Sequence, residues 1–106
     1  MEALLVYVTA PAEAAEALAR ALVDERLAAC VNLIPAVTSI YRWQGAVEQS
    51  AETLLLIKTA VHRFAELERR ILDLHPYELP EIVAVNIADA HAPYLKWLLT
   101  ESSPLP

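Results

Sequence analysis

Residues 29–59 read ACVNLIPAVTSIYRWQGAVEQSAETLLLIKT, and how this stretch folds decides the architecture of the chain. From Ala29 to Trp43 the residues Val31, Leu33, Val37, Ile40 and Tyr41 favour a strand, and only Pro35 interrupts them. A proline cannot donate to the ladder, so Pro35 marks an edge, a bulge or a bend. Gln44-Gly45 follows, and Gly45 is the only glycine in the protein. It stands where a tight hairpin needs a residue at positive φ. The return strand runs from Ala46 to Thr59. Its Leu54-Leu55-Leu56-Ile57 run is apolar on both faces, which places that end centrally in a sheet. Each arm has about 14 residues, so at about 3.3 Å per residue the hairpin reaches about 45 Å. A compact domain of this length has a diameter of only about 35 Å. The tip should therefore project beyond its own domain, and Ile40, Tyr41, Trp43 and Val47 on it need neighbouring subunits to pack against.

The flanking segments complete the pattern. Leu4-Leu5-Val6-Tyr7-Val8 reads as a buried strand. Pro11 opens a helix whose apolar face is Ala14, Leu18, Ala21 and Leu22, closed by Asp24-Glu25-Arg26. A second helix spans Val61 to Leu74, with Phe64, Leu67, Ile71 and Leu74 on one face, and Pro76 stops it. Ile82 to Ile87 is expected as an interior fourth strand. Pro93 lies in the first turn of a third helix, with Tyr94, Leu95, Leu98 and Leu99 as its buried stripe. The order predicts an α+β fold: a ferredoxin-like βαββαβ sandwich with an extra C-terminal helix and a long protruding hairpin between the second and third strands. Residues 1–106 form one domain.

Composition narrows the function. The chain is 57% hydrophobic with a mean hydropathy of +0.36, yet no apolar run approaches the ~18 residues of a membrane span. Burial between copies of the chain accounts for the surplus. A formal charge of −6 without any Lys/Arg cluster argues against nucleic-acid binding. The lone cysteine, Cys30, has no intramolecular partner, and the MEALLVYV start lacks the features of a signal peptide. Both lead to the expectation of a cytoplasmic protein. A single glycine excludes the glycine-rich phosphate cradles, and no nucleophile elbow or regular metal-ligand spacing occurs. The chain is therefore read as a non-enzyme.

The polar residues worth singling out concentrate in HPYELPEI, residues 75–82. Pro76 and Pro80 stiffen it as a helix-to-strand connector. His75 is either a helix-end residue bonding the last carbonyls or an imidazole ligand for copper or zinc. Tyr77, Glu78 and Glu81 either contact a ligand or solvate the rim of a stiff turn. Outside this stretch, Cys30 is a small core residue or a soft group lining a cleft. Lys58 is a solvated strand end, an anion contact, or a partner of Glu78 or Glu81.

Thr9-Ala10-Pro11, RLAACVNLIPAVTSIYRWQG (26–45), LLLIKT (54–59), HPYELPEI (75–82) and Tyr94-Leu95-x-Trp97-Leu98 together resemble the CutA family of divalent-cation tolerance proteins. The resemblance implies a ferredoxin-like fold, an interlocked homotrimer, a likeness to PII signalling proteins, and a link to tolerance of copper and other divalent metals. Where family members carry a cysteine at the end of the first strand and a second histidine before Pro-Tyr, this chain has Val8 and Leu74, leaving His75 alone. Two readings follow. One is a trimeric module holding a divalent metal ion or small ligand in clefts between subunits, with His75 toward metal and Cys30, Lys58, Tyr77, Glu78 and Glu81 toward ligand. The other is a rigid scaffold with an unidentified protein partner and only an indirect link to metals.

Overall fold

The computed structural model describes residues 2–106. The elements are β1 (Ala3–Ala10), α1 (Ala12–Asp24), β2 (Cys30–Trp43), β3 (Ala46–Ala60), a single 3-10 turn (Val61–Arg63), α2 (Phe64–Leu74), β4 (Val83–Asn86) and α3 (Ala92–Glu101). The strands form one sheet in the order β2-β3-β1-β4, and every neighbouring pair is antiparallel. This is the expected βαββαβ arrangement with an added helix. No helix among the described residues is long and apolar enough to cross a membrane.

Register divides the sheet into two faces. Leu4, Val6, Val8 and Ala10 of β1 alternate inward beside Leu55 and Ile57 of β3, and all are buried. They pack under Leu18 and Leu22 of α1 and Leu67 and Ile71 of α2. Each such fully buried side chain contributes about 1.5–3 kcal/mol by leaving water. The inward face of α1 is Ala15, Leu18, Ala19 and Leu22 rather than the Ala14 and Ala21 stripe expected, a rotation of about one position. The other sheet face presents Leu5, Tyr7, Leu54, Leu56, Val83 and Val85. Only its lower end is covered, where Leu98 of α3 packs on Ala3 and Ala29.

β4 departs from expectation. It pairs with β1 alone and is an edge strand, so Val83 and Val85 are 52% and 45% exposed instead of interior. An apolar run reports what a strand can bury, not its place in the strand order. Tyr94 and Leu74, expected inward, are each 38% exposed, whereas Arg63, expected off the apolar face, is buried. The guanidinium of Arg63 reaches the Arg26 carbonyl oxygen at 3.3 Å and Glu66 at 2.9 Å.

The hairpin is as long as the arm count requires. The domain measures 46 × 26 × 22 Å. Gln44 and Gly45 both have positive φ, 48° and 83°, which is the type I′ turn matched to strand twist. Pro35 marks a bulge, with the register shifting between Ile34 and Val37 and Ala36 at φ 61°. The strand bends there without folding back, and Ile40 and Val47 remain 67% and 65% exposed.

Candidate functional site

The connector after α2 is held by its histidine. His75 precedes a proline and is extended (φ −76°, ψ 135°), which ends the helix. Its Nε2–H donates to the Thr9 carbonyl oxygen at 2.7 Å, and its Nδ1 accepts from the Tyr77 N–H at 3.1 Å. These bonds specify the Nε2–H tautomer and clamp the loop to the end of β1. The ring is buried and lies 4.8 Å from that of Tyr77. With both nitrogens engaged, His75 positions the connector and presents no free lone pair to a metal. Among the described residues no three His, Cys, Asp or Glu side chains converge on a common point.

Tyr77 carries the clamp across to the hairpin. Its hydroxyl donates to Glu52 Oε2 at 2.9 Å. The residue as a whole is 39% exposed. Loss of hydration, followed by the bond to Glu52 and that carboxylate's charge, pushes the phenol pKa up to about 12. Glu52 itself is buried at 6% exposure on β3. Sequence reasoning passed over it, because an acidic residue in a strand carries no local signal of the partner that buries it.

Between the connector and the hairpin lies a cleft of about 840 Å³. Thr9 and Glu52 line it, with Tyr41 and Trp43 from β2 and Tyr77, Glu78 and Glu81 from the connector. The structure thus brings together Tyr77, Glu78 and Glu81 and holds them with His75. It does not bring Cys30 or Lys58 to them. Cys30 and Lys58 are register partners at the other end of the sheet, and the Lys58 ammonium lies 5.7 Å from the Tyr94 ring centroid. Lys58 is six residues from Glu52 on one strand, about 20 Å at about 3.3 Å per residue. Of the alternatives for Lys58, register therefore removes the pairing with Glu78 or Glu81 within the chain.

Residues 4–101 match the sequence profile of the CutA1 divalent ion tolerance protein family. The divalent-cation tolerance protein CutA of Thermus thermophilus is 55% identical over 95 residues, 89% of this chain and 92% of that protein. Protein CutA of Mus musculus is 46% identical over 99 residues, 91% of this chain but 56% of the longer mouse protein. Among solved structures, that of the Thermus thermophilus protein superposes with a TM-score of 0.93 at 51% identity, over 95% of this chain and 99% of that one. The PII-like protein CutA from Nostoc gives 0.88 at 38% identity, over 97% and 98%.

These relatives overturn the expectation of a cytoplasmic protein. An Arabidopsis thaliana relative, 42% identical over 96 residues (90% of this chain, 53% of that protein), is named chloroplastic. An Archaeoglobus fulgidus structure, 33% identical with a TM-score of 0.91 over 95% of this chain and 99% of that one, is described as periplasmic. Compartment does not travel with this fold. What does travel is the backbone and the sequence along nearly all of its length, and on both counts the chain belongs to the CutA1 divalent ion tolerance protein family.

Proposed function

We propose that the chain works as a homotrimeric binding module, three copies closing their uncovered sheet faces and hairpins on one another, with the cleft beside HPYELPEI taking a divalent cation or a small ligand between subunits. The observation that carries this reading is the cleft itself. A connector stiffened by Pro76 and Pro80 and clamped through His75 holds carboxylates and aromatic rings around an open volume of about 840 Å³. The exposed Leu5-face of the sheet and the apolar hairpin tip support assembly, since an apolar surface of this extent is stable in water only when another surface covers it. In this reading a cation such as copper or zinc takes one or two of the carboxylates Glu52, Glu78 and Glu81 from one chain, with groups of a neighbouring copy completing its shell, and His75 acts only as a positioning residue.

The closed hydrogen bonding of His75 favours one alternative, a rigid trimeric scaffold whose link to metal tolerance runs through another protein. Native mass spectrometry of gently purified protein, before and after addition of copper or zinc, separates the two. A trimer carrying metal or a small molecule is the expected result. A bare trimer under both conditions leaves the scaffold, and a monomer overturns both.

A further inference from the structure

We propose that the cleft recognises a small organic cation, a protonated amine whose ammonium sits on the free oxygen of Glu52 and whose carbon body lies against Tyr41, Trp43 and Tyr77. The proposal rests on the cleft being a ligand site and names the class of ligand.

Glu52 is the reason. The residue as a whole is 6% exposed, and it lines the cleft. Oε2 accepts the Tyr77 hydroxyl, while Oε1 accepts no hydrogen bond among the described residues. The ion pairs among the described residues join Arg20 to Glu16, Arg26 to Glu101, Arg63 to Glu66, and Arg70 to Glu25 and Asp73. None involves Glu52. A carboxylate held by one neutral donor and paired with no cation of its own chain keeps an oxygen available for a charge-assisted hydrogen bond from a ligand.

The surroundings select the kind of cation. Glu78 and Glu81 add to the negative field of the cleft, and Arg42 is the one basic residue lining it. Tyr41, Trp43 and Tyr77 offer ring faces, the partners that attract an ammonium and cover its apolar body. A bare metal ion needs several oxygen or nitrogen ligands converging within about 2–2.6 Å. Within the chain the carboxylates do not converge in that way. One charge-assisted hydrogen bond with aromatic walls instead suits a monoamine.

Isothermal titration with 2-phenylethylammonium, its neutral analogue 2-phenylethanol, and zinc chloride tests this on the intact protein, with sedimentation to follow assembly. The ammonium should bind the wild type, bind Glu52→Gln at least about 10-fold more weakly, and outcompete the alcohol by a similar factor, with Glu52→Gln sedimenting as the wild type does. Equal binding of ammonium and alcohol to the wild type overturns the proposal without recourse to any variant. Equal affinity of wild type and Glu52→Gln overturns it too. So does dissociation of the Glu52→Gln assembly, because the carboxylate then pairs with a neighbouring copy. If zinc binds and the ammonium does not, with zinc binding lost in Glu81→Gln, the amine assignment falls and the cleft remains a ligand site. If neither binds, both fall.

Discussion

At the scale of single residues, the chemistry of the site runs through a short chain: Thr9 carbonyl, His75 ring, Tyr77 backbone and hydroxyl, Glu52 carboxylate. Two predictions belong here. The Tyr77 phenol should titrate near pH 12, against an ordinary value of 10, in absorbance at 295 nm, where the other tyrosines report the baseline. Because its folded-state pKa is raised, its contribution to stability is complete below pH 10 and is lost as pH rises from 10 to 12. Denaturant midpoints measured across that window should fall, and should fall less in Tyr77→Phe. At neutral pH, Tyr77→Phe leaves the buried Glu52 carboxylate without its donor and should cost about 1–3 kcal/mol in urea unfolding.

At the scale of elements, two backbone positions at positive φ show how the joints are made. Helix α1 ends in a Schellman motif, with Leu27 N–H donating to the Leu22 carbonyl at 2.9 Å and Arg26 N–H to that of Val23 at 3.0 Å. The left-handed position is filled by Arg26 (φ 59°) where glycine would be easier. Its side chain donates to the carbonyl oxygens of Ser103 at 2.7 Å and Thr100 at 2.9 Å and so ties α1 to the end of α3. Arg26→Gly relieves the backbone but severs this tie, whereas Arg26→Ala severs it and keeps the strain. Calorimetry should therefore rank wild type above Arg26→Gly and Arg26→Gly above Arg26→Ala, the last by about 1 kcal/mol. The bulge gives the converse case. Ala36 holds φ 61° with an exposed side chain, so Ala36→Gly should stabilise by about 1 kcal/mol in the same assay.

At the scale of the whole molecule, the uncovered sheet face and the edge strand dominate. Val85 is 45% exposed on β4, so Val85→Lys should leave the isolated fold within about 0.5 kcal/mol. In the proposed trimer the same lysine is trapped against apolar neighbours. Sedimentation should then show dissociation to monomers with an unchanged far-UV circular dichroism spectrum. An unchanged trimer would place the assembly surface elsewhere.

The hairpin, its turn and its length were legible in residues 29–59 because each is a local matter: strand propensity, one glycine at the turn, and a count of residues per arm. The same holds for the connector, whose prolines announce a stiff turn. Several features were not legible. The strand order that puts β4 at an edge, the engagement of both His75 nitrogens, and the separation of Lys58 from Glu78 and Glu81 all depend on which segments meet. Glu52 is the clearest case. In sequence it is one acidic residue in a strand, and only β3 register together with the Tyr77 clamp makes it a buried carboxylate facing a cleft. Propensity and periodicity act between near neighbours and are written along the chain. The site is assembled from the end of β1, the middle of β3 and the loop after α2, and contacts at that separation are decided by packing.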